Sequence, residues 1–203
     1  METRIISLKS PSLILAGIGG ALQKMGEEAK NLDAKKALLI TDKVMIETGI
    51  EGQVKAVLAE NSVSVDVFDD VKSDPDIENC EACIDMAKAG NYDLIVGVGG
   101  GSPMDIASIA SVMCTNAGTV YDYFGVNLVK QPGIPTFLIT TTAGTGAEVT
   151  PNAILTDHKD QLKKAIVSPY ILPRAAVIDP ELTLSMPPVV TSFTGMDALT
   201  HAI

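Results

Sequence analysis

Four times in its first 115 residues the chain passes from a strand-length apolar run into a segment of helical period, and this order constrains the fold more than any single motif. Residues 13–16 lead into 20–31, 37–40 into 52–61, 63–68 into 76–89, and 94–98 into 102–115. A strand followed by a helix returns the chain to its starting edge, so the next strand pairs parallel to the last, with helices left on both faces. Leu38-Leu39-Ile40 and Leu94-Ile95-Val96 show no polar alternation, as expected of strands covered on both sides. The expected fold is therefore α/β, a doubly wound, mostly parallel sheet with these two runs at its centre.

Beyond Gly133-Ile134-Pro135 the rhythm changes. Residues 136–140, 153–156 and 164–167 read as shorter strands, and the polar stretch 157–161 predicts a hairpin between the last two, placed to reach over a ligand. A further strand at 175–178 closes at Asp179-Pro180, and Met186-Pro187-Pro188 interrupts the pattern before a helical run at 189–203. The expected boundary lies near Ser185, separating an α/β unit at 1–184 from the first helix of a second, helical unit at 185–203. Val189, Val190, Phe193, Met196 and Leu199 on that helix call for an apolar cover. Residues 4–8 read as an exposed strand able to extend a neighbour's sheet, one route to a homodimer.

With 203 residues, 46% of them hydrophobic, the chain can bury a sizeable core. Its formal charge of −10 repels phosphate backbones, and no basic cluster longer than Lys35-Lys36 or Lys163-Lys164 offsets it, which argues against a nucleic-acid partner. The apolar stretch 13–22 is too short to span a bilayer and contains three glycines, so no membrane association is expected. Cys80, Cys83 and Cys114 are odd in number, which points to a reducing, cytoplasmic setting. Cys80 and Cys83 form a C-x-x-C inside a helical segment with no second pair, the pattern of ordinary helix cysteines.

The strand at 94–98 runs into Gly99-Gly100-Gly101-Ser102-Pro103-Met104-Asp105, a loop without side chains followed by a helix expected to open on a Ser102 cap with Pro103 at its first position. Bare backbone N–H groups can approach phosphate oxygens there, and the helix N-terminus adds donors and a favourable dipole, so the loop suits a pyrophosphate. A second loop, Thr140-Thr141-Thr142-Ala143-Gly144-Thr145-Gly146-Ala147-Glu148, offers four hydroxyls suited to ribose or phosphate. Asp42 ends a strand where a carboxylate accepts from a ribose hydroxyl and repels a 2′-phosphate, favouring NAD over NADP; a helix cap is the other reading of that position. The G-x-G-x-x-G fingerprint is absent, since Gly17-Ile18-Gly19-Gly20 has the wrong spacing. Asp197 and His201 stand at i and i+4 on one helix face, half of a divalent-metal site, whereas His158 in Thr156-Asp157-His158-Lys159-Asp160 reads as a turn residue. An exposed acid and histidine without a metal is the alternative for the pair.

Gly99-Gly100-Gly101-Ser102-Pro103-x-Asp105, the stretch from Thr141 to Thr150, and Gly195-Met196-Asp197-Ala198-Leu199-Thr200-His201-Ala202 together resemble the iron-containing (group III) alcohol dehydrogenases, in order and spacing, and in particular their diol-type members. The resemblance spans the whole chain and implies a dehydroquinate-synthase-like dinucleotide domain followed by an all-helical domain, with NAD(P) and Fe2+ or Zn2+ in the cleft between them. It implies cofactor contacts from Asp42, Gly99, Gly100, Gly101, Ser102, Asp105, Thr141, Thr142, Thr145, Asn152 and Lys163, with Lys164 one slip away, and metal ligation by Asp197 and His201. Two further histidine ligands would come from the helical domain beyond Ile203, and no protein nucleophile is required. Ser108 and Ala147 depart from the lysine and serine common in the family. The implied reaction is NAD(P)-linked hydride transfer between a small alcohol and its aldehyde or ketone. A noncatalytic nucleotide-binding fragment is the alternative, since the chain carries two of four ligands. A dehydroquinate-synthase-like lyase fits the wording of these motifs less well.

Overall fold

The computed structural model describes residues 8–203. Residues 4–7 of the expected N-terminal strand lie outside the described residues. In chain order the elements are β1 (Leu13–Ala16), α1 (Ala21–Asn31), β2 (Lys36–Ile40), α2 (Lys43–Glu47), α3 (Ile50–Glu60), β3 (Ser64–Phe68), α4 (Ile77–Ala89), β4 (Leu94–Gly99), α5 (Gly101–Met113), β5 (Gly125–Val126), β6 (Thr136–Thr140), β7 (Asn152–Asp157), β8 (Leu162–Val167), β9 (Ala175–Ile178) and α6 (Pro188–Ala202).

Six strands form a sheet in the order β1-β9-β6-β4-β2-β3, and every pairing in it is parallel. Burial follows position: β4 and β6 are buried at every residue, while the edge strands β1 and β3 are only partly covered. One face packs on α1 and α3 through Met25, Val54 and Leu58, and the other on α4 and α5 through Cys83, Ile106 and Ile109. α4 starts where Asp76 accepts the Asn79 backbone N–H at 2.7 Å, and it buries Ile77, Cys80, Cys83, Ile84 and Ala87 at helical spacing. α5 is apolar almost all round because it is covered on more than one side, by the sheet, by α4 and by β7.

The expected hairpin is β7–β8, antiparallel from Asn152↔Val167 to Asp157↔Leu162; it joins β5 in a second, three-stranded sheet. Both expected strands prove longer than their apolar cores, because ladder pairing carries the extended backbone into the polar ends. α2 was not expected: Asp42 caps it by accepting from Met45 N–H at 3.1 Å, and with five residues it is too short to show a helical period. α6 buries none of its residues, and Val189, Phe193, Met196 and Leu199 are exposed on it.

Candidate functional site

The chain leaves β2 toward β3 on one side and then, through β4, β6 and β9, builds in the opposite direction. Loops after β2 and β4 therefore diverge at the C-terminal strand ends, and the crevice they open is where doubly wound sheets bind ligands. Asp42 follows β2, Gly100 follows β4, and Thr141 follows β6, so three of the sequence-derived elements meet at this one place.

The glycine turn differs from expectation in one respect. α5 begins at Gly101 with Gly100 as its N-cap, so Ser102 and Pro103 lie inside the first turn rather than at cap and first position. Gly100 provides the extended cap conformation without a side chain, and the Ser102 hydroxyl is free to donate to Ser73 O at 2.8 Å. Gly99 has φ +143°, and a Cβ there would stand 2.8 Å from the Pro103 ring, so only glycine serves. A Cβ on Gly101 would lie 3.2 Å from the Thr145 methyl, and one on Gly100 would lie 3.4 Å from that of Thr142. The two loops thus face each other at the helix N-terminus across a gap that side chains on the glycines would fill.

Two cavities flank this turn and share Ser73 and Ser102. One, about 400 Å³, is lined by Asp42, Thr141 and Thr142 with apolar cover from Val44, Met186 and Val190. The other, about 370 Å³, holds Gly101, Asp105, Thr145, Asn152 and Lys163 together with Asp197 and His201. Of the expected site residues only Gly99 lines neither; it closes β4 and hydrogen-bonds through its carbonyl to Thr141 N–H at 3.0 Å. A third cavity, about 440 Å³ beside Gln23, Gln53 and Glu181, touches none of them.

Asp197 and His201 point the same way, with His201 Nδ1 3.8 Å from Asp197 Oδ2. That oxygen is buried without a hydrogen-bond donor from the protein, an arrangement that suits a cation better than an ordinary surface acid. Consecutive lysines on β8 project to opposite faces. Lys163 reaches Asp74 Oδ1 at 3.0 Å in the cavity, whereas Lys164 turns away to Asp157 at 2.8 Å and to Asp160. His158 occupies the hairpin turn, 3.4 Å from Asp76 and away from the Asp197 pair. Cys80 and Cys83 are fully buried, and burial pushes both thiols well above their ordinary range.

Asp105, partly buried on α5, has its carboxyl pushed up to about 7 by burial, partly opposed by the Ile154 backbone N–H and by Lys163. Ser108 is buried in the same helix. Sequence reasoning missed residues 70–76. This loop lies against both cavities, tied down by Ser102 to Ser73 O, by Thr156 N–H to Pro75 O at 2.9 Å, and by Thr156 Oγ1 and Lys163 to Asp74. It carries no motif; its only signal is position after a strand next to the switch point.

Residues 11–180 match the family model described as iron-containing alcohol dehydrogenase. The chain is 41% identical over 187 residues to long-chain-alcohol dehydrogenase 1 of Geobacillus thermodenitrificans, covering 91% of this chain and 47% of that protein. A crystal structure of 1,3-propanediol oxidoreductase superposes with TM-score 0.93 at 35% identity, covering 98% of this chain and 52% of that one. Sulfoacetaldehyde reductase from Bifidobacterium kashiwanohense, solved in complex with NAD+, gives TM-score 0.89 at 32% identity, covering 98% and 53%. The chain spans about half the length of these relatives.

Proposed function

Because the chain belongs to the iron-containing alcohol dehydrogenase family, we propose that it builds the nucleotide-binding half of a metal-dependent, NAD-linked oxidoreductase acting between a small alcohol and its aldehyde or ketone. One observation carries this reading: the two cavities run from Asp42, past the glycine turn, to Asp197 and His201. In this assignment Asp42 accepts from the adenosine ribose and disfavours a 2′-phosphate, so NAD suits the site better than NADP. The diphosphate rests against Gly99, Gly100, Gly101 and Ser102 at the start of α5, with Thr141, Thr142 and Thr145 opposite. Asn152 and Lys163 meet the nicotinamide ribose, and Asp105 lies beneath. NAD+ bound to the similar sulfoacetaldehyde reductase supports the choice of nucleotide.

Asp197 and His201 would hold Fe2+ or Zn2+, since a carboxylate and an imidazole suit either ion. When bound, such an ion supplies Lewis acidity that lowers the alcohol's pKa. The chain's own residues fix the nucleotide so that its ring lies beside this pair, and the hairpin and the loop at 70–76 exclude water from one side. Residues 1–184 form the dinucleotide unit in this reading and 185–203 the start of the metal-binding helices. The same reading makes the protein cytoplasmic and homodimeric; its cysteines are free thiols, and β1 is an edge strand among the described residues.

The test is to measure NAD+ binding, metal content and alcohol oxidation in the full chain and in Asp197→Ala. Loss of metal and turnover with NAD+ binding retained is expected, and unchanged metal content refutes the assignment. A second reading, nucleotide binding without turnover, draws on the pair itself, because two donors are fewer than a catalytic ion normally takes from protein. NAD+ binding by unsubstituted protein that neither retains metal nor turns over would establish it.

A further inference from the structure

Asp74 stands in the cavity that holds Asp197 and His201, on the loop that sequence reasoning missed. Its Oδ1 accepts from Thr156 Oγ1 at 3.0 Å and from Lys163 Nζ at 3.0 Å. The threonine is set in the β7 ladder, whereas the lysine has a flexible four-carbon stem, so the carboxylate fixes the lysine and not the reverse. Among the described residues Lys163 is the only lysine or arginine lining this cavity, and Asp74 neutralises it. The lysine beside it, with Thr156, holds the Asp74 carboxyl below its ordinary range, so Asp74 is a carboxylate at neutral pH.

A bound nicotinamide nucleotide changes charge at one place. The ring is positive when oxidised and neutral when reduced, while diphosphate and riboses are common to both forms. Granted that the ring lies at the Asp197–His201 end of the cleft, as proposed above, the Asp74 charge acts on that difference and on little else. We propose that Asp74 keeps this cleft from discriminating against the oxidised nicotinamide, by cancelling a lysine charge that would otherwise repel the cationic ring.

The ratio of dissociation constants, NAD+ over NADH, isolates the effect, because any general damage to the cleft divides out. Asp74→Asn keeps the shape and an acceptor for Thr156 but leaves Lys163 uncompensated. For unit charges several ångströms apart at a solvated site, the ratio should rise about three- to ten-fold at low ionic strength and less in high salt. Lys163→Met should lower it, and Asp74→Asn with Lys163→Met, which restores neutrality, should bring it back close to the unsubstituted value. Asp74→Glu, which retains the charge, should stay within about two-fold. NADH fluorescence and competition by NAD+ give both constants. An unchanged ratio in Asp74→Asn, or single variants that move it in the same direction, overturns the role of Asp74 while leaving the nucleotide site standing. Failure of the unsubstituted full chain to bind either nucleotide overturns both.

Discussion

Replacing Asp105 by Asn should stabilise the fold above neutral pH and leave it nearly unchanged in acid. Burial moves this carboxyl from an ordinary 3.8 up to about 7, so between those values the folded chain binds a proton that the unfolded chain has lost. Stability contributed by the protonated form is therefore lost as pH rises from about 4 to about 7, and the loss is complete above that range. At ~1.4 kcal/mol per pH unit, the full shift corresponds to roughly 4 kcal/mol. Asp105 is only partly buried at the cavity wall, so solvent screening reduces this to about 2 kcal/mol. In a domain of this size that is about 4–8 °C in Tm. Asparagine fills the same volume, accepts from the Ile154 N–H through its amide oxygen, and carries no charge to desolvate. The assay is thermal or urea unfolding of both proteins from pH 4.5 to 8.5 in one buffer series. The gap should be small at the acid end, widen through pH 5–7 and level off. A gap that is flat with pH, or that favours aspartate at pH 8, would show that the Asp105 carboxyl is not desolvated and that its environment has been misread.

Gly101→Val would place a branched side chain where a Cβ already meets the Thr145 methyl at 3.2 Å. NAD+ affinity by titration should fall at least about ten-fold, because the backbone approach at the helix N-terminus is blocked, while Tm changes modestly. Asp42→Ala removes both the α2 cap and the proposed ribose acceptor: it should cost about 1 kcal/mol in urea unfolding and narrow the NAD+ preference over NADP+. Asp42→Ser keeps a capping oxygen and should recover the stability but not the preference; recovery of both would assign Asp42 to capping alone.

Much of the fold was legible because two periodicities alternate cleanly. Leu38-Leu39-Ile40 and Leu94-Ile95-Val96 announced interior strands, since a strand covered on both faces has no polar side to display. α2 escaped because five residues span little more than one helical turn, and the cap at Ser102 was misplaced because Gly100 can adopt the extended cap conformation unaided. The glycine turn and the Asp197–His201 spacing were readable for a local reason: each is a feature of a few consecutive residues whose geometry follows from backbone freedom or from helical rise.

What the linear order could not contain is juxtaposition. Ser73 meeting Ser102, and Asp74 meeting Lys163, join residues 29 and 89 positions apart, and no local preference encodes such pairs. The amino-acid sequence alone determined a parallel, doubly wound sheet, a turn without side chains at a helix start and an acid and an imidazole one helical turn apart, because these depend on side-chain period and backbone conformation within single elements. Tertiary structure alone decided that Lys163 and not Lys164 faces the cleft, that Asp105 is desolvated, and that residues 70–76 form a wall of the site. Those outcomes depend on which elements pack side by side, and packing is settled only when the sheet closes its order in space.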